Sequence, residues 1–90
     1  MTLKEKAKTY RVPETTTSEN LGTDWQTVIT FGDKVLLAGY FYQGKGPSYF
    51  GAVFTFTGND HSCEGKIKLT AISDEFFADN GHALQWAMAH

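Results

Sequence analysis

Trp25-Gln26-Thr27-Val28-Ile29-Thr30-Phe31, then Gly32-Asp33, then Lys34-Val35-Leu36-Leu37-Ala38-Gly39-Tyr40-Phe41-Tyr42 is the stretch that decides the fold. Both flanks are rich in β-branched and aromatic residues, which suit a pleated, half-buried surface. Between them Gly32-Asp33 has the chemistry of a two-residue hairpin turn, because glycine takes a positive φ without steric cost. A hairpin closed here sets Phe31 opposite Lys34, Ile29 opposite Leu36 and Thr27 opposite Ala38.

The same reading extends in both directions. Strands are expected at 25–31, 34–43, 48–57 and 66–72, separated by Gly32-Asp33, by the breaker Gly44-Lys45-Gly46-Pro47 and by the polar loop 58–65. A symmetric second turn places Gln43 opposite Ser48 and Tyr42 opposite Tyr49. An even third connection places Thr57 opposite Lys66 and Phe56 opposite Ile67. Ser73 then offers a capping oxygen, followed by the acidic pair Asp74 and Glu75, as the positive end of a helix prefers. Phe77, Gly81, Leu84 and Met88 fall at helical spacing, with Asn80-Gly81 as a soft centre or stop. Upstream, Leu3, Ala7 and Tyr10 fit a short helix, while Lys8 to Val12 fits an edge strand equally well. Pro13 ends either one, and the polar stretch 14–24 reads as a loop or tether.

The expected architecture is therefore α+β: a four-stranded antiparallel meander with a C-terminal helix packed on one face, in ββββα order. Residues 1–24 form a partly flexible N-terminal segment and 25–90 a single domain. A strongly curled sheet, bending at Gly39 and Gly51, is the alternative.

Register sorts the strand residues into two faces, since a slip of one residue would exchange them. One face collects Val28, Val35, Leu37, Phe41, Phe50, Ala52, Phe54, Phe56, Ile67, Leu69 and Ala71, all apolar, and is expected beneath the helix. The other collects Trp25, Thr27, Ile29, Phe31, Leu36, Ala38, Tyr40, Tyr42, Tyr49, Val53, Thr55, Lys66 and Lys68. That set is too apolar to face water alone. Trp and Tyr are also the residues enriched at binding hot spots. With the helix assigned to the first face, the second requires a partner. The N-terminal segment, a second copy of the chain, or a ligand or foreign protein would each serve.

Composition narrows the field. The net charge is −2 and the pI about 5.8, which lacks the basic footprint of a nucleic-acid binder. Lys4, Lys6, Lys8 and Arg11 form the one basic series. Three tyrosines on a sheet face resemble a base-stacking platform, yet the strand-and-helix order and motifs of RNA-binding sheets are missing. No apolar stretch approaches a membrane span, the N-terminus carries no apolar leader, and the lone Cys63 rules out an internal disulfide. A cytoplasmic location is expected.

Catalytic and metal motifs are weak. Asp60-His61-Ser62-Cys63-Glu64 offers metal-ligand chemistry, but adjacent side chains point apart and no second ligand pair stands at a recognised spacing. A solvated turn is the better reading, and no cofactor is expected. Gly44-Lys45-Gly46-Pro47-Ser48 lacks the length and the following helix of a phosphate loop. His82 and His90 read as solvent-side residues. No Asp, Glu or His falls on the expected strands, which argues against an enzyme.

The leading expectation is a non-enzymatic protein-interaction module, a homodimer or a dock for another protein. Its binding residues are Trp25, Phe31, Tyr40, Tyr42, Tyr49 and the exposed Lys45. The alternative is a small-molecule-binding protein or small enzyme with an aromatic-lined pocket.

Overall fold

Threonine caps shape the N-terminal third. The computed structural model describes residues 2–42 and 44–90. Thr2 and Glu5 form a reciprocal capping box: Glu5 N donates to Thr2 Oγ1 and Thr2 N to Glu5 Oε1, both at 3.2 Å. They start α1 (Leu3–Tyr10), whose Ala7 and Tyr10 are buried. Helix, not edge strand, is thus the outcome at Leu3, Ala7 and Tyr10. The stretch expected as a loop instead holds β1 (Thr15–Thr17) and α2 (Ser18–Asp24). Thr17 closes the strand and caps the helix, its Oγ1 accepting from Asn20 N at 3.2 Å. Leu21 is the anchor that the polar composition concealed, at 1% exposure.

The sheet continues with β2 (Thr27–Phe31), β3 (Lys34–Tyr40), β4 (Tyr49–Phe56) and β5 (Lys66–Ile72), in the order β1-β5-β4-β3-β2. It is antiparallel throughout, with five strands where four were expected; β1 adds to the outer side of β5. The hairpin registers at Phe31–Lys34, Ile29–Leu36, Thr27–Ala38 and Phe56–Ile67 are as the turns dictated. The third-strand register is not. Tyr49 pairs with Tyr40, not Tyr42, because the connection runs from Phe41 to Ser48, where Phe41 N donates to Ser48 O at 2.8 Å. The slip is two residues, so the face assignment survives. The expected Gln43–Ser48 pair lies outside the described residues. A bulge between Val53 and Phe54 breaks the β4–β5 register and places Ala71 opposite Val53, so Ala71 moves to the face opposite the one expected.

The C-terminal helix is shorter than its apolar stripe implied. α3 spans Asn80–Ala89 and starts from Asp79, whose Oδ1 accepts from His82 N at 2.8 Å. Asn80-Gly81 opens the helix; it neither splits nor stops it. Ser73 is not the cap. It is buried at the end of β5, where its Oγ accepts from Gly51 N at 3.1 Å and donates to Glu75 O at 2.8 Å. Between Ser73 and Asp79 the chain runs irregularly, joined to β4 by a two-way backbone bridge of Tyr49 and Phe77.

The layers also differ from expectation. The phenylalanine face is covered by α1 and α2. Ala7, Tyr10, Val12 and Leu21 join Val35, Leu37, Phe50, Phe54, Ile67 and Leu69 in the main core, and Phe76 packs against it. Lys6 Nζ pins α1 to the sheet by donating to Ile72 O at 3.2 Å and pairing with Asp74. α3 lies on the opposite face, where Ala87 packs with Leu36 and Val53, and Leu84, Trp86 and Ala71 complete the cluster. The result is three layers with the sheet in the middle, and the second face has its own cover. α3 can sit this close because Gly51 presents no side chain: a Cβ there would lie 2.6 Å from Ala83 O. Gly39 serves likewise under Phe50 and Trp25. Among the described residues no helix is long and apolar enough to cross a membrane.

Candidate functional site

An opening arises at one end of the sheet because β2 begins late. Its first residue, Thr27, pairs with Ala38. Tyr40, two residues further along β3 on the same face, therefore has no β2 side chain beside it. The chain leading into β2 instead turns away at Asp24-Trp25-Gln26, after Trp25 N closes α2 by donating to Leu21 O at 2.9 Å. The space left is a cavity of about 500 Å³ lined by Asp24, Trp25, Gln26, Thr27, Ala38, Tyr40, Tyr49 and Asn80.

Each wall is held by a different element. Tyr40 and Tyr49 are cross-strand partners with ring centroids 5.3 Å apart at 71°, the edge-to-face geometry favoured by aromatic quadrupoles. Tyr40 is 52% exposed, so a ring face remains available. Trp25 is half-buried and meets Phe50 edge-on, centroids 5.6 Å apart. Its ring lies over Gly39, so it belongs to the phenylalanine side and reaches the cavity around the sheet end, rather than standing on the tyrosine face as expected. Asn80, the first residue of α3, donates from Nδ2 to Thr27 Oγ1 at 3.3 Å. That bond ties the helix start to the strand start.

Two further hollows extend the cavity into a groove. One is lined by Thr9, Tyr10, Arg11, Asp24, Trp25, Tyr40, Phe41 and Tyr42. The other is lined by Tyr40, Gly46, Pro47, Ser48, Tyr49 and Ala78. Tyr40 belongs to all three. Of the residues expected to bind, Trp25, Tyr40, Tyr42 and Tyr49 are thus brought together. Phe31 is not; it stands at the turn end of β2. Lys45 is exposed in the loop and lines none of these hollows.

The groove holds one carboxylate, Asp24, and one guanidinium, Arg11. Its other polar groups include the amides of Gln26 and Asn80, the hydroxyls of Thr9, Thr27 and Ser48, and the tyrosine phenols. Such a set can stack a flat ligand and hydrogen-bond its rim. Beside the groove, Asp79 is held below the usual carboxylate range by the backbone N–H of His82, and then by the His82 ring at 2.8 Å. The polar loop 58–65 is separate: His61 stacks on Phe56 at 4.5 Å and Asp60 accepts from Ser62 N. Among the described residues no three His, Cys, Asp or Glu side chains gather as a metal site would need.

Sequence reasoning missed Asp24, Gln26 and Asn80. Asn80 was only partly legible: Asp79 is a cap-forming residue shortly before the apolar Ala83, Leu84 and Ala87, but the intervening Asn80-Gly81 reads as a stop. Asp24 and Gln26 carried no local signal, since their role follows from where β2 begins.

The family model described as nucleotide modification associated domain 4 matches residues 12–90, from the end of α1 to the C-terminal residue. No curated protein and no solved structure matches the chain.

Proposed function

The chain belongs to the nucleotide modification associated domain 4 family, and from that premise we propose that it is a non-enzymatic recognition module whose groove binds a nucleobase or nucleoside. The supporting observation is the convergence of Trp25, Tyr40 and Tyr49 with the amides of Gln26 and Asn80 around one cavity. Every base has a π-face to stack and a rim of donors and acceptors to pair, and stacking on one aromatic ring is worth about 1–3 kcal/mol. The walls offer binding groups and little acid–base machinery, which favours recognition over turnover. The exposed lone thiol, Cys63, is in keeping with a reducing, cytoplasmic setting.

Calorimetric titration with nucleosides tests the reading. Saturable binding is expected, weakened about tenfold or more by Tyr40→Ala. Absence of binding by any common nucleoside would count against it.

A second reading, self-association, is favoured by a separate observation. Ile29, Phe31 and Met88 are exposed at 45%, 52% and 56%, on the outer strand β2 and on α3. β2 has a strand neighbour on one side only and carries no charged residue between Thr27 and Phe31, so nothing in its sequence opposes edge pairing. A second copy is the occupant this strip suits, with Tyr42 and Lys45 outside it.

A further inference from the structure

We propose that the groove takes a nucleoside monophosphate, with Arg11 as the phosphate site. This rests on the nucleoside reading of the first cavity and adds the chemical class and the orientation of the ligand. The neighbouring hollow, about 630 Å³, shares Asp24, Trp25 and Tyr40 with the first. A ligand longer than a base can therefore lie across both.

The polar groups are ordered along that path. Gln26, Thr27 and Asn80 line only the first cavity, Asp24 lines both, and Thr9 and Arg11 line only the second. Amides at one end suit a base rim. A carboxylate in the middle suits sugar hydroxyls, which donate to it. A guanidinium beyond suits a phosphate, which it can bind through two parallel N–H donors.

Arg11 is placed and left free for this. It ends α1 with φ 61° and ψ 37°, a left-handed conformation usually given to glycine. Among the described residues its guanidinium makes no hydrogen bond or ion pair. Asp24 lines the same hollow, yet the two do not close to an ion pair, so both charges remain available to a ligand. Arg11 is also the one member of the basic series that lines the groove; Lys6 is engaged with Asp74 and Ile72. A single cation fits one phosphate. A nucleic-acid strand would ask for several.

The test is calorimetric titration of the full chain with the four common ribonucleosides, their 5′-monophosphates and a tetranucleotide. Arg11→Gly removes the guanidinium while suiting the backbone angle, so the variant keeps its fold. Each monophosphate that binds is expected to bind about tenfold more tightly than its nucleoside. Arg11→Gly should erase that gap without changing nucleoside affinity, and Arg11→Lys should retain part of it. Nucleoside binding with no gain from the phosphate, or a gain that survives Arg11→Gly, overturns the phosphate site while leaving the base site standing. Failure of every nucleoside and nucleotide to bind removes both. A tetranucleotide that binds more tightly than any monophosphate, with a salt dependence of several phosphates, overturns the single-nucleotide assignment.

Discussion

Tyr40 occupies the position on which the groove depends, since it lines every part of it. Its ring is braced by Tyr49 but keeps about half its surface open. Tyr40→Phe keeps the stacking surface, so its nucleoside affinity should stay within a few-fold of wild type, in contrast to the alanine variant. Gly51 is the corresponding structural position. A methyl group there meets the backbone carbonyl of Ala83 and the Trp86 ring, neither of which can yield without moving α3. Gly51→Ala should destabilise by about 1–3 kcal/mol, measured by urea unfolding. Ser73→Ala leaves the Gly51 N–H without the acceptor it has at 3.1 Å and should also cost about 1–3 kcal/mol. Sequence alone marked Gly39 and Gly51 as bending points; the structure uses them for close approach, which depends on what packs above them and so has no local signature.

Among the elements, α3 shows most clearly what was and was not readable. Its existence followed from apolar spacing, but its start and its face did not. By its spacing Phe77 begins the stripe, yet its bridge to Tyr49 ties it to β4, and tertiary pairing overrode helical periodicity. The helix then seats small residues, Ala83 and Ala87, against the sheet and leaves Met88 outside. Asp79 fixes its first turn and hence the position of Asn80. Because hydrogen bonds from His82 lower the Asp79 pKa in the folded state, its stabilising contribution is present above the unfolded carboxylate range, about pH 4, and is lost as pH falls through the lowered value. The Tm difference between wild type and Asp79→Ala should thus shrink as pH falls from about 5 to below about 4, with the wild type higher where the difference exists. A difference that grew over that interval would contradict this assignment.

For the whole molecule, strand pairing at the first and third turns and the separation of residues into two faces, Trp25 and Ala71 excepted, came through from the hairpin chemistry, because parity tolerates a two-residue error. What covers each face did not. By sequence the N-terminal segment is a candidate cover for the tyrosine face, yet its four buried residues, Ala7, Tyr10, Val12 and Leu21, cover the phenylalanine face. With α3 on the other side, the large apolar residues left exposed among the described residues are Tyr40 and Tyr42 at the groove and, away from it, the strip at Ile29, Phe31 and Met88. If that strip joins two copies, light scattering after size exclusion should give a mass near 20 kDa at high concentration, twice the 10.0 kDa chain, and Phe31→Glu should return it to one chain. A constant single-chain mass would remove self-association without touching the groove.

The binding site itself is tested most directly by amide NMR of the isotope-labelled chain during titration with a nucleoside. The expected result is saturable shifts confined to the backbone of Asp24 to Thr27, Ala38 to Tyr40, Tyr49 and Asn80, together with the Trp25 indole. Shifts centred on Ile29, Phe31 and Met88, or none at all, would contradict it.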